Sequence, residues 1–286
     1  MNILEDLKMQ YRVGGIALKI IFWNIGCFLV SLLFFYQYSV GAFSFPNWIA
    51  LSSEPSVFIL RVWTFLTYAF FHDGFLHLFF NMIVLNFASQ LFLTFFSNKQ
   101  YLGVYILSAI FAGLVFALAF NLMQYSGAIV GASAAIMAIL VAATTYNPLM
   151  DVRLMFIGNV KLWHVTAVIL ILDLMQFRLI NSGGHISHLA GAFFGFMYVK
   201  LLQSGIDLSK IVTAVLDFFT NIFKKPATPF KKVHKNYKRP IEKPTSKIVV
   251  KDKKQQQIDE ILDKISQSGY DSLNQEEKEF LFQAGK

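Results

Sequence analysis

The chain has 286 residues, of which 56% are apolar and 15% are charged, and its formal net charge is +8. A typical soluble domain has roughly 45–50% apolar and about 25% charged residues. Residues 1–204 hold only nine Lys/Arg and six Asp/Glu, against sixteen and eleven in residues 205–286. This composition excludes a nucleic-acid module, a secreted disulfide scaffold and a cytosolic enzyme as the main body. It predicts an integral membrane protein with a polar tail.

Six apolar stretches are long enough to cross a bilayer, whose core is about 30 Å thick and needs roughly 20 residues per helix. They are residues 16–38, 74–96, 101–121, 128–146, 160–177 and 185–203. The first is too long for a signal-peptide core, and no small-residue cleavage site follows it. The sequence therefore predicts an all-α, polytopic membrane protein with six transmembrane helices.

The basic residues in the short loops predict the orientation of these helices. Lys and Arg accumulate on cytoplasmic loops. The loops on the side away from the termini carry only Arg61 and Arg178. The side that holds both termini carries Lys8, Arg12, Lys19, Lys99, Arg153, Lys161, Lys200 and Lys210. We therefore expect both termini to be cytoplasmic.

The external connection over residues 39–73 is long for a loop without structure of its own. Its Trp48, Trp63 and aliphatic residues are typical of a segment at the membrane interface. Two interpretations remain open: a folded cap on the helices, or a partly membrane-embedded loop that helps to shape a site.

Polar side chains lie at one depth in three of the predicted spans. With this orientation, His77 and Asn81 in the second span, Ser133 in the fourth and His188 in the sixth fall near the external ends. Each has a structural interpretation, since a membrane serine commonly bonds to its own helix and a His–Asn pair can join two helices. Together they supply the nucleophile, general base and oxyanion donors of acyl transfer.

Small residues surround two of these side chains. Gly191 and Gly195 form a GxxxG motif on roughly the same face as His188, and Ser133 lies within the Gly/Ala run 131–135. Small residues let membrane helices approach closely. We therefore expect the fourth and sixth spans to cross with Ser133 within hydrogen-bond reach of His188.

These residues resemble the motifs of the rhomboid family of intramembrane serine proteases. The segment from Trp63 to Asn81 is similar to the family's second helix and the approach to it, with its His-x-x-x-Asn pair. Gly131-Ala-Ser133-Ala134 is similar to the nucleophile motif Gly-x-Ser-Gly, and His188-Leu-Ala-Gly191 to the general-base motif. The resemblance is clearest over residues 55–203 and implies a six-helix rhomboid-like bundle.

The resemblance also implies a role for each matched residue. Ser133 is expected to be the nucleophile and His188 the general base, without a carboxylate third member. The side chains of His77 and Asn81, with the backbone N–H of Ser133, are expected to hold the oxyanion. Supporting positions are expected at His72, Gly131, Gly191 and Gly195.

The chain departs from the family pattern at two positions. Ala134 replaces a usual glycine, and Met137 replaces an aromatic residue that often packs on the general base. Asp173, the acid in the fifth span, is expected to reach the interface. No metal site and no cofactor are expected, since His72 and His77 are five residues apart and point to different faces of a helix.

The composition changes after the sixth span. Residues 224–254 hold twelve Lys/Arg, two acids and four prolines, which is typical of a disordered linker that contacts anionic lipids; no nucleic-acid motif accompanies them. Ser272 and Gln275 predict a capping box in a terminal helical hairpin. The expected domains are a cytoplasmic N-terminus (1–15), the rhomboid-like membrane domain (16–203), an amphipathic segment with the linker (204–255) and the hairpin (256–286).

The leading functional hypothesis is a serine endopeptidase of the cell membrane. It would use a Ser-His dyad to hydrolyse peptide bonds in or near transmembrane segments of membrane proteins, in a site open to the extracytoplasmic side. One alternative is a catalytically inactive rhomboid-like protein that binds membrane clients. The other is a small polytopic transporter with a proton relay, although neither internal repeats nor broken helices are evident.

Overall fold

A computed structural model describes residues 2–154, 157–176, 182–223 and 253–284. Within these ranges the helices are, in chain order, α1 (Ile3–Val13), α2 (Ile16–Phe34), α3 (Pro55–Phe58), α4 (Thr64–Thr67), α5 (Phe75–Phe95), α6 (Asn98–Leu122), α7 (Ser133–Tyr146), α8 (Leu162–Gln176), α9 (Ser182–Gln203), α10 (Ser209–Phe223), α11 (Lys253–Ser268) and α12 (Gln275–Ala284). The strands are short: β1 (Tyr36–Gln37), β2 (Ala42–Phe43), β3 (Leu51–Ser52), β4 (Ala128–Ile129), β5 (Asp151–Leu154) and β6 (Gly158–Lys161).

Six of these helices, α2 and α5 to α9, occupy the positions of the predicted spans. In the described part of the chain, α2, α5 and α6 are long and apolar enough to cross a membrane by length and composition. The apolar helices α7 and α8 are shorter, and α9 begins with a polar first turn. The predicted all-α polytopic membrane fold is confirmed, and the orientation of its termini remains a prediction.

Helix α7 begins later than its hydropathy predicts. The span was expected from residue 128, but Ala128 and Ile129 form β4, which pairs antiparallel with β3. Gly131 then adopts a φ of +138°, a backbone conformation that L side chains rarely adopt. The helix therefore begins only at Ser133, because β4 and the φ of Gly131 keep the chain before Ala132 out of the helical conformation.

The centre of the bundle is α7, whose residues 134–143 are all buried. Its alanines and branched residues pack with side chains of α5, α6 and α9 in one apolar core. The contact with α9 is a backbone contact at the two glycines of the GxxxG motif. A Cβ added at Gly191 would lie 2.1 Å from the carbonyl oxygen of Ala134, and one at Gly195 would lie 2.2 Å from that of Ala138.

The long connection before α5 is folded. β1 pairs with β2, and β3 pairs with β4 at the start of the segment that leads into α7. Leu51, Phe65 and Tyr68 are buried against α6, and the Tyr68 hydroxyl donates a hydrogen bond to the Ala109 carbonyl at 2.9 Å. The connection is thus a cap on the helices, held by packing and by backbone pairing.

Helix α10 packs against α6. A Cβ added at Gly103 of α6 would lie 2.4 Å from the Cβ of Ser209, the first residue of α10. Asp207 caps α10, because its Oδ1 accepts the Ser209 N–H at 2.9 Å. The apolar face of α10, including Ile211, Val215 and Phe219, is exposed, as expected of an amphipathic helix at a membrane surface.

The chain divides into two compact units, residues 1–225 and 226–286. The described part of the second unit is the hairpin of α11 and α12, which is joined by an ion pair between Lys264 and Glu277 at 2.8 Å. The predicted Ser272–Gln275 capping box is wrong. Asn274 and Glu277 exchange the two capping hydrogen bonds, at 2.8 and 2.9 Å, since the helix starts two residues later. Residues 224–252 of the predicted basic linker fall outside the described residues, and its last two residues, Lys253 and Lys254, belong to α11.

Candidate active site

Ser133 is the first residue of α7 and is half-buried. The first N–H groups of a helix have no partners within the helix, and the helix dipole makes this end partly positive. The approach to Ser133 is held by Gly131, whose N–H donates to the Tyr68 carbonyl at 2.9 Å. The Ser133 hydroxyl therefore lies beside backbone donors that suit a developing negative charge.

His188 of α9 lies beside this serine. Its Nε2 is 2.6 Å from Ser133 Oγ, within the range of an O–H···N hydrogen bond. The glycine contacts between α7 and α9 bring the two helices close enough for this distance. Gly191 lies one turn after His188, and its backbone rests on Ala134, the neighbour of Ser133.

Asp173 of α8 accepts hydrogen bonds from two histidines. Its Oδ1 lies 2.6 Å from His188 Nδ1 and 2.7 Å from His185 Nδ1, and the side chain is only 9% exposed. The expectation that Asp173 reaches the interface is wrong, and so is the expectation that His188 has no carboxylate partner. Hydropathy places a residue along a helix but does not tell which neighbouring helix its face contacts.

His77 of α5 is held from its Nδ1 side by Asp73, with which it forms a close hydrogen bond. Its Nε2 faces the start of α7, since a Cβ added at Gly131 would lie 3.0 Å from that atom and 3.5 Å from Ser133 Oγ. The hydrogen bond from His77 holds the pKa of the Asp73 carboxyl below its ordinary value. Asp73 is therefore ionised at neutral pH.

His72 packs behind this pair. It is completely buried, and its ring centroid lies 5.0 Å from that of His77 in an edge-to-face arrangement. Neither ring nitrogen has a hydrogen-bond partner among the described residues. Burial, and secondly the charge of His77, lower the pKa of His72 to about 3. The ring is thus neutral at pH 7 and supports His77 by packing.

Two cavities meet at the serine and the histidine. One, of about 330 Å³, lies between α5 and α8 and is lined by apolar side chains together with Asn81, Met137 and Asp173. The other, of about 470 Å³, lies under the cap and includes Asp73 and His77. The Asn81 Nδ2 is buried without an acceptor in the described part of the chain, so a donor is available beside Ser133.

The cluster of Asp173, His185 and His188 has the composition of a metal site, with ligand atoms within 4.8 Å of one another. A tetrahedral zinc ion with bonds of about 2.0–2.1 Å holds its ligand atoms about 3.3 Å apart. The observed N···O distances of 2.6 and 2.7 Å are instead those of direct hydrogen bonds. The arrangement therefore fits a carboxylate that is shared by two imidazoles.

Two family models match the sequence. The Rhomboid domain matches residues 60–204, which is half of the chain, and a family of unknown function (DUF6576) matches residues 249–284. No curated protein matches the chain. The fold and the first match define a membrane-embedded helical protein of the class that includes intramembrane serine proteases. The chain belongs to the rhomboid family.

Sequence reasoning missed both carboxylates of the site. Asp73 and His77 are four residues apart, a spacing at which helical side chains meet, so this signal was present in the sequence. Asp173 had a weaker signal, as an acid inside an apolar span. The four predicted catalytic and oxyanion residues all line one or both cavities: Ser133, His188, His77 and Asn81. Gly131 lies close to His77, whereas Gly191 and Gly195 contact the α7 backbone at Ala134 and Ala138.

Proposed function

We propose that this rhomboid family member is an intramembrane serine endopeptidase, which hydrolyses peptide bonds in or near the transmembrane segments of membrane proteins. The proposal rests above all on the 2.6 Å contact between Ser133 Oγ and His188 Nε2. A hydroxyl that donates to an unprotonated imidazole nitrogen is the activated nucleophile of acyl transfer. The backbone N–H groups at the start of α7 are the donors that we assign to the oxyanion.

The dyad performs two acyl-transfer steps. Ser133 Oγ attacks the scissile carbonyl carbon while His188 Nε2 takes the hydroxyl proton, and the carbonyl electrons move to the oxygen. The C–N bond then breaks as His188 gives the proton to the leaving amine, which leaves an acyl-enzyme. In the second step a water oxygen bonds to the acyl carbon while His188 takes a proton from that water. The bond from carbon to Oγ then breaks, His188 returns the proton to Oγ, and the carboxylic acid product leaves.

The oxyanion is held by the Ser133 N–H, the Asn81 amide and His77. Because His77 Nδ1 donates to the ionised Asp73, its Nε2 can donate to the oxyanion only when the ring is protonated. His77 then acts as an imidazolium whose charge is balanced by Asp73. Each such donor typically contributes about 10²–10³ in rate.

The two cavities suit different reactants. The cavity between α5 and α8 is lined by Phe80, Val84, Ile169 and Leu172, which suits an apolar substrate segment that arrives from the bilayer. The cavity under the cap contains the polar Asp73 and His77, which suits the water needed for deacylation. The substrate class is therefore a membrane protein with an apolar segment that can unwind beside α5.

The organisation of the whole chain is part of the proposal. We assign residues 1–15 to a cytoplasmic N-terminus, 16–203 to the membrane domain, 204–252 to a segment that contacts anionic lipid and the rest of the chain, from the start of α11 at Lys253, to the helical hairpin. Both termini face the cytoplasm of a cell-membrane protein, and the site opens to the opposite side, in agreement with the distribution of Lys and Arg.

The test is cleavage of a panel of tagged single-span membrane proteins in liposomes. Wild type is compared with Ser133→Ala and His188→Ala, and with two matched controls outside the site, Ser31→Ala and His164→Ala. Among the described residues the Ser31 hydroxyl donates to its own helix, at the Cys27 carbonyl, and His164 is exposed. The first two variants should abolish cleavage, and the controls should keep it.

Labelling by a fluorophosphonate probe separates the remaining outcomes. Wild type that is labelled at Ser133 but cleaves no panel member has an activated serine and needs a different substrate. Wild type that is neither labelled nor active contradicts the proposal and identifies an inactive rhomboid that binds membrane clients. Equal cleavage by all five proteins would also contradict it, since a contaminating protease would then be the source.

A further inference from the structure

We infer that Asp173 is a positioning residue that converts the dyad into a Ser133–His188–Asp173 triad, and that His185 holds Asp173 in place. The inference rests on the proposed function and deepens it, because the family resemblance implies a general base without a carboxylate partner. The carboxylate comes from α8, the nucleophile from α7 and the base from α9. The three groups form one continuous line of hydrogen bonds.

Both ring nitrogens of His188 are engaged in that line. Nε2 lies 2.6 Å from Ser133 Oγ, and Nδ1 lies 2.6 Å from Asp173 Oδ1. An ionised carboxylate only accepts hydrogen bonds, and a neutral imidazole carries one N–H. The proton of His188 is therefore on Nδ1, which leaves the Nε2 lone pair directed at the serine hydroxyl. This is the tautomer that a general base requires.

His185 explains why the carboxylate stays in line. Its Nδ1 donates to the same Oδ1 at 2.7 Å, and it lies one turn before His188 on α9, so the carboxylate is held from two points on one helix face. A carboxylate that merely joined α8 to α9 would need only one of these histidines. The second bond fixes the rotation of Asp173 relative to His188.

The surroundings make this carboxylate effective. Asp173 is 91% buried by side-chain area, since 9% is exposed, and its Oδ2 has no partner among the residues that the structure describes. The adjoining cavity is lined by Val84, Ile136 and Leu172. An isolated buried carboxylate is costly, and charges interact strongly where water is excluded. The chain therefore retains a costly group at the place where an imidazolium forms.

The step in which Asp173 acts is the first proton transfer. The Ser133 proton moves to His188 Nε2 as Oγ bonds to the carbonyl carbon, and the resulting imidazolium keeps its Nδ1–H on Asp173. Asp173 stays ionised throughout. Its negative charge stabilises the positive charge on His188 until the Nε2 proton leaves with the amine. The carboxylate thus stabilises the transition state without exchanging a proton.

The test compares kinetics of Asp173→Asn with those of wild type in liposomes. The amide keeps the size of the side chain but carries no charge and lets His188 adopt the wrong tautomer. We expect kcat to fall by about 10²–10⁴-fold with KM nearly unchanged, since the substrate cavity keeps its shape. Asp151→Asn is the matched control, because Asp151 pairs with Lys161 in the β5–β6 hairpin; it should stay within twofold of wild type.

A double-mutant comparison separates positioning from a purely structural role. If Asp173 acts through His188, the double variant Asp173→Asn/His188→Ala should be labelled by the probe at the same residual rate as His188→Ala alone. An independent structural role would reduce labelling equally in both backgrounds and would overturn the inference. His185→Asn should lower kcat by about tenfold at constant KM, and an unchanged kcat would remove His185 from the arrangement.

The outcomes also separate this inference from the proposed function. Wild type that cleaves while Asp173→Asn keeps at least half of its kcat leaves the protease intact and refutes the triad. Wild type without cleavage or labelling refutes the protease itself. If Asp173→Asn does not fold, Asp173→Glu takes its place. This variant keeps the charge but displaces it by one methylene, so kcat should fall at least tenfold. A wild-type value of kcat would refute the inference.

Discussion

Replacing Gly191 by alanine should uncouple the serine from the histidine. The added Cβ would lie 2.1 Å from the Ala134 carbonyl oxygen, whereas an ordinary carbon–oxygen contact is about 3.3 Å. The α7–α9 crossing must therefore open by about 1 Å. The Oγ–Nε2 distance between Ser133 and His188, now 2.6 Å, would rise to about 3.6 Å, at which no hydrogen bond remains.

Two effects of known size follow from this displacement. A misplacement of about 1 Å in a catalytic site can lower the rate about 10²-fold, and overpacking a close contact costs about 1–3 kcal/mol of stability. The rate of fluorophosphonate labelling at Ser133 and the thermal unfolding midpoint in detergent measure the two separately. Both should fall in Gly191→Ala.

Gly26→Ala is the matched control, because a Cβ at Gly26, in the middle of α2, meets nothing within 4 Å. Alanine is favoured over glycine in a helix by about 1 kcal/mol, so the control should be labelled at the wild-type rate with an equal or higher midpoint. The reasoning would be refuted if Gly191→Ala were labelled within threefold of wild type at an unchanged midpoint. The glycine contact would then not set the distance between Ser133 and His188.

Three further predictions concern the oxyanion site, the buried histidine and the tail. Asn81→Ala should lower kcat/KM for substrate cleavage by about 10²–10³ because one proposed oxyanion donor is lost. The pKa of His72 is 6.5 in the unfolded chain and about 3 in the folded chain. The free energy of unfolding should therefore fall as the pH drops through this interval, by about 2 kcal/mol at pH 5. Thermal unfolding at pH 5 and 7.5 measures this loss, and His72→Gln should remove most of the difference. Asn274→Ala should speed amide hydrogen exchange in α12 about fivefold, since a lost helix cap costs about 1 kcal/mol, whereas Ser272→Ala should not.

Each of these predictions has an opposing result. Unchanged kcat/KM in Asn81→Ala would mean that its buried amide does not face the reacting oxygen. An acid-induced loss of stability that persists in His72→Gln would have to come from other groups. Faster exchange in Ser272→Ala than in Asn274→Ala would restore the capping box that the sequence predicts and contradict the hydrogen bonds between Asn274 and Glu277.

The helical segments and the order of the polar motifs could be read from the sequence. Hydropathy is a property of consecutive residues, so the six apolar stretches predict α2 and α5 to α9 without knowledge of their neighbours. Helix α7 starts five residues after the position that hydropathy predicts, because β4 and the φ of Gly131 depend on β3 and Tyr68, which are distant in sequence. Local hydropathy contains no information about such pairing.

Only the tertiary structure decided which polar groups meet. The sequence placed Ser133 and His188 at one depth, and the Gly/Ala residues around them indicated a close crossing, so their proximity could be predicted. It could not assign Asp173 to the two histidines, since α8 has apolar residues on every face and thus no pattern that marks the face toward α9. The hydropathy of consecutive residues determines where the helices form. The partner of a buried charge is determined by the packing of those helices against one another.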